Sequence, residues 1–167
     1  MFVHDFVHVA RPFPSVVDAF VCRVQPALGQ LVHAAWADDA PGWLHLGVSE
    51  RELIPLNPVP VTIGEPRTRR DAVVFPISWP WSSARWFPEL DADLEIARLD
   101  LHRTDLQLMG RHRFPPSVER WSAEESSANR VTVSAIRRLL EHMARDLESS
   151  CLGIGSAVGA PVPLRHE

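Results

Sequence analysis

Residues 104–147 read "TDLQLMGRHRFPPSVERWSAEESSANRVTVSAIRRLLEHMARDL", and the apolar period changes within them. In the first part Leu106, Leu108, Gly110, His112 and Phe114 alternate with Asp105, Gln107, Arg111 and Arg113. Period two marks a strand with one buried face and one wet face, the habit of an antiparallel sheet. In the second part Ala128, Val131, Ala135, Leu139, Met143 and Leu147 step by three and four, and Ile136 and Leu140 broaden the stripe. Ser122 and Glu125 stand in capping-box spacing. Arg137–Glu141 and Glu141–Arg145 are i,i+4 pairs on the opposite face. The spacing predicts a strand followed by one long helix with a single apolar stripe, able to cross a whole sheet at about 1.5 Å per residue.

Upstream the same two signals recur. "FVHDFVHVA" at the N-terminus is rich in β-branched and aromatic residues and reads as a strand. Pro12 and Pro14 break it. Ser15 and Asp18 then suggest a helix N-cap with an acidic first turn. Val16, Val17, Phe20, Val21 and Val24 keep helical spacing until Pro26, which is expected to end this first short helix. "PALGQLVHAAW" reads as a second short helix that ends near Asp38–Gly42. Between Trp43 and Phe114 alternation returns: Leu44, Leu46 and Val48; Val59, Val61 and Ile63; Val73, Phe75, Ile77, Trp79 and Trp81; Leu94 and Ile96. "GEPRTRRD" and "DLHRTD" supply turns. The tail "CLGIGSAVGAPVPLRHE" is rich in small residues, and residues 151–167 are expected to be a flexible appendage to one domain spanning 1–150.

Composition narrows the function classes. A chain of 167 residues with 46% apolar and 23% charged residues suits one globular domain. A formal net charge of −4 argues against a nucleic-acid partner, which needs a basic face. All 17 basic residues are arginine and there is no tyrosine, so Schiff-base chemistry, a lysine base and a tyrosine acid are excluded. The two cysteines, Cys22 and Cys151, are far apart, which speaks against a disulfide framework and for a reducing cytoplasm. The first residues lack the basic and apolar regions of a signal peptide, and no apolar run reaches bilayer length.

The order of strand, two short helices, several antiparallel strands and one long helix resembles the START-related, polyketide-cyclase and lipid-transport superfamily (SRPBCC). Local wording agrees, in "FVHVARPFPSVVDAF", "VPVTIGEP", "VVFPISWPW", "WFPELDADLEIARL", "TDLQLMGRHRFPP" and "NRVTVSAIRRLLEHMARDL". The resemblance spans roughly residues 2–148. It implies an α+β helix-grip fold, in which a curved antiparallel sheet wraps around the C-terminal helix. It also implies a cavity between the two, gated by the short helices and loops and taking a small apolar molecule such as a lipid, a polyketide or an aromatic. Members share an architecture and no catalytic motif.

On that reading the cavity lining is Phe75, Ile77, Trp79, Trp81, Leu94, Ile96, Leu106, Leu108 and His112 from the sheet, and Ile136, Leu139, Leu140 and Met143 from the helix. Trp79 and Trp81 share parity with Phe75 and Ile77, while Pro76 and Pro80 fall on the other parity and point to a strand edge or end. The rings either fill the interior or wall a pocket, with indole N–H groups as polar anchors. Trp86 and Phe87 follow a Ser-Ser turn and are placed to cap one end. His112 is inward among apolar groups, where it is either a satisfied core histidine or a ligand-orienting group or base.

Other signals are blander. His4 and His8 share a strand face without a third ligand, so no metal and no cofactor is expected. Glu89, Asp91, Asp93 and Glu95 oppose Leu94 and Ile96 in parity and belong to a solvated face. Arg67, Arg69 and Arg70 read as a charged turn. There is no GxSxG elbow, P-loop or GxGxxG. Three functions fit: a binder of a small hydrophobic or aromatic molecule, a cyclase- or aromatase-like enzyme using the same cavity with His112 and Ser78 as nearest polar groups, or a ligand-free protein acting through its surface. The oligomeric state is not fixed by these signals.

Overall fold

The computed structural model describes residues 1–41, 49–82, 84, 86–115 and 122–149. Its elements run β1 (Phe2–Val9), α1 (Phe13–Ala19), a π-helical segment (Phe20–Val24), α2 (Gln25–Asp39), α3 (Glu50–Leu53), β2 (Thr62–Ile63), β3 (Arg67–Arg69), β4 (Ala72–Trp79), β5 (Glu89–Arg98), β6 (Thr104–Arg113) and α4 (Ser122–Ser149). Among the described residues the six strands form one antiparallel sheet in the order β1-β6-β5-β4-β2, with β3 also on β4. The open, curved sheet and the long C-terminal helix make an α+β helix-grip domain.

The helix α4 runs beside α2 and along β1. Its 28 residues span about 42 Å. Arg137 reaches Asp5 at 3.2 Å midway along β1. At its C-terminal end Glu148 accepts from the Ala10 amide, and its carbonyl accepts from Arg11. The α2–α4 seam is stapled by Asp39, which accepts from Ser134 Oγ at 2.8 Å and Arg138 Nε at 3.1 Å. On α4, Ala128, Ala135, Ile136, Leu139, Leu140, Met143 and Leu147 are buried, as the stripe requires.

Several expectations are corrected. The first helix begins at Phe13 with Pro12 at its N-cap, so Ser15 caps nothing. Pro26 does not split the helices. The chain stays helical from 13 to 39 because it widens to a π turn over Phe20–Val24, and Gln25 N–H bonds to Phe20 O. The wider turn accommodates a proline ring that an α-helix would exclude. Regular pairing near "VPVTI" is confined to Thr62–Ile63, since the amide of Val59 bonds instead to Gly29 O at 3.3 Å. A Cβ on Gly29 would stand 2.2 Å from Val59 O, so only glycine allows this docking. Arg67 and Arg69 lie in a strand, not a turn. Glu141 pairs with Arg137 at 3.6 Å, and no Glu141–Arg145 bridge forms. The strand expected at Leu44–Val48, the Ser122–Glu125 cap and the 151–167 tail lie outside the described residues or side chains.

Pro76 sits inside β4, opposite Asp93 of β5. Its carbonyl accepts from Gly64 N at 2.8 Å on the other side. In an antiparallel strand N and C=O of one residue face the same neighbour. The missing N–H therefore faces the gap between β2 and β3, where no ladder bond is needed.

Candidate functional site

The inner face of the sheet and the stripe of α4 meet in one apolar cluster. It gathers Phe75, Ile77, Trp79, Leu94, Ile96, Leu106, Leu108, Ile136, Leu139, Leu140 and Met143. Part of this interior is filled by rings. Phe75 packs on Phe20 with centroids 4.6 Å apart, and Trp36 meets Phe87 at 5.0 Å and Trp79 edge-on at 5.9 Å.

Trp79 and Trp81 part company. Trp79 is 2% exposed and Trp81 46%. β4 ends at Trp79, so the alternation that would turn Trp81 inward stops at Pro80. Both indole N–H groups go to backbone carbonyls, Trp79 to Pro88 O at 3.1 Å and Trp81 to Arg113 O at 3.2 Å. Neither is free to anchor a guest. Trp86 and Phe87 are both buried. Trp86 joins Phe114 and Ala128 in a second small cluster, and its amide bonds to Glu52 O. Ser78 is on the outer face, opposite Asp91, and so does not share a face with His112.

His112 is fully buried. It sits opposite Leu90 in the register of β5 and β6, and Phe114 packs edge-on at 5.6 Å. The main chain around it is satisfied, since its amide donates to Met1 O at 2.9 Å and its carbonyl accepts from the Met1 ammonium at 2.6 Å. Its ring is not. Neither nitrogen has a hydrogen-bond partner, and neither do Asn129 Oδ1 on α4 and Trp36 Nε1 on α2. Loss of hydration, and then the nearby Met1 ammonium, push His112 down from its ordinary value to about 4; Asn129, beside the ring, opposes the shift without reaching hydrogen-bond geometry. The imidazole is therefore neutral at pH 7, offering one donor and one acceptor.

Sequence reasoning missed Asn129 and Trp36. Asn129 precedes Ile136 and Met143 by seven and fourteen residues, so a polar residue on the apolar stripe was the available signal. Trp36 continues the four-residue step of Leu28 and Val32 on α2.

Four other histidines have side-chain partners: His4 with Gln107, His8 with Asp105, His33 with Pro55 O and His142 with Asp38. Among the described residues no three His, Cys, Asp or Glu side chains cluster as a metal site, and no helix is long and apolar enough to cross a membrane. Cys22 is an exposed free thiol.

No family model matches this chain, and no curated protein matches it. Solved structures similar to it include three of low identity. A hypothetical protein from Helicobacter pylori is 13% identical, with 86% of this chain and 88% of that one covered and a TM-score of 0.40. The Zhui aromatase/cyclase from Streptomyces sp. R1128 is 14% identical over 90% of this chain and 98% of its own, with a TM-score of 0.34. A protein from Thermus thermophilus is 8% identical over 90% of this chain and 99% of its own, with a TM-score of 0.42.

Proposed function

We propose that this domain binds a small, largely apolar molecule between the sheet and α4, and that the molecule carries a polar group which meets His112 and Asn129. The observation behind this reading is the set of orphaned polar atoms in an apolar interior. Buried polar groups in native proteins are nearly always satisfied, and each one left bare costs about 1–3 kcal/mol. A guest with one hydrogen-bonding group and an apolar body would remove that cost while occupying the greasy surround. The neutral imidazole suits binding better than proton abstraction, because a base works best with a pKa near the operating pH.

Native mass spectrometry of protein purified from its own host tests the reading. A co-purifying apolar molecule is expected. It should be depleted in a His112→Phe/Asn129→Leu variant, which leaves no orphaned atoms at that spot. Protein that carries no small molecule, and whose tryptophan fluorescence ignores a panel of fatty acids and planar aromatics, would refute it.

A further inference from the structure

On the outer face of the sheet three carboxylates are matched by arginines. Glu89 pairs with Arg113, Asp93 with Arg67 and Glu95 with Arg69, while Asp105 shares a hydrogen bond with the His8 ring. Asp91 and Arg111 face one another in the register of β5 and β6. Both are exposed, yet neither side chain makes an ion pair or hydrogen bond to another described residue. They border two adjoining troughs of about 360 and 340 Å³. Phe2 and Met109 wall the first, and they are 64% and 36% exposed. Phe6, also exposed, continues the apolar strip along the same face of β1.

The first trough, which Phe2 and Met109 wall, lies open on the surface, so a small molecule in it would keep much of its area in water, unlike the ligand of an enclosed site. Phe, Met and Arg are the types enriched where proteins meet. An acidic partner would suit Arg111 and repel Asp91, and a basic partner would do the reverse. Asp91 and Arg111, side by side and of opposite sign, form a pair complementary to itself under a two-fold rotation, and Met1, which also lines the second trough, brings the N-terminal positive charge near them.

We propose that this face is the interface of a two-fold homodimer, in which Asp91 of each copy pairs with Arg111 of the other and Phe2 of each packs against the other's trough.

Sedimentation velocity on the full chain tests it, from about 10 µM to about 1 mM, where a modest interface would be seen to assemble. The wild type should form a dimer within that range. Asp91→Arg alone turns both contacts into Arg–Arg, and Arg111→Asp alone turns both into Asp–Asp. Each should weaken association at least about tenfold, since like charges oppose docking. Mixing the two variants should restore a dimer, because each then supplies what the other lacks. Both positions are exposed, so each variant should stay folded, its melt lowered only modestly by the like charges that then face one another across its own β5–β6 register. A wild type that stays monomeric throughout overturns the proposal, whatever else covers the face. So does a dimer indifferent to both reversals, or a mixture that fails to associate.

Discussion

At the residue scale His112 has a measurable consequence apart from any ligand. Its folded pKa is about 4 against an ordinary 6.5. The unfolded chain therefore takes up a proton at higher pH than the folded one. Above 6.5 neither state is protonated and the residue adds no pH dependence. As pH falls from 6.5 to 4 the unfolded state gains the proton first, and stability drops. Below 4 both states are charged and the loss is complete. The difference corresponds to roughly 3 kcal/mol. A His112→Gln variant removes the titration while keeping a polar side chain. Unfolding free energies from urea titrations at pH 7 and pH 4 should fall further for the wild type than for the variant, by about that amount. Parallel pH profiles would show that the ring takes up its proton as readily in the folded state as in the unfolded one. The inward placement of His112 was legible from parity alone. Its lack of partners was not, because they depend on what α4 and α2 present to it from far along the chain.

At the element scale β5 and β6 are pressed together at one point. A Cβ on Gly110 would stand 2.3 Å from Ala92 Cβ and 2.4 Å from Asp91 O. Neither neighbour is the end of a flexible side chain, so nothing can swing away. Gly110→Ala must spread the strands or unfold the register, at a cost of at least about 2 kcal/mol. Chemical denaturation checks this, and a change below about 0.5 kcal/mol would mean that the ladder yields easily. The same strands explain which elements could be read in advance. β5 and β6 bury one face each, so their period-two pattern is strong, and β4 keeps it in its second half although Ala72 and Val74 are buried on the other face. The continuity of α1 and α2 is not legible in the sequence, because Pro26 is a breaker in an α-helix and the π turn that absorbs it has no pattern of its own. β3 resembles a turn in the sequence because its three residues are all exposed and carry no apolar alternation. Trp81 misled for the opposite reason: it kept the alternation after the strand had stopped.

At the scale of the whole molecule, one apolar cluster joins α1, α2, the sheet and α4. No described element buries its apolar face without another. Leu139 lies at the middle of the α4 stripe and is fully buried. Truncating it removes contacts where helix and sheet meet and leaves a cavity that the strands cannot readily close. Leu139→Ala should therefore cost about 2–5 kcal/mol. Since the cluster is continuous, the loss should be felt everywhere at once. Tryptophan fluorescence reports on Trp36, Trp79 and Trp86, while far-ultraviolet circular dichroism reports on the helices and the sheet. Both probes should give one transition, and the substitution should shift both midpoints equally with little change in slope. If the fluorescence transition moved while the dichroism transition stayed, the aromatic packing of α2, β4 and Phe87 would be a unit separable from the α4 seam. The interior would then be two half-cores rather than one. A guest held between sheet and helix needs the first arrangement, because only a wall that is rigid with respect to the other wall can hold His112 and Asn129 at a fixed separation.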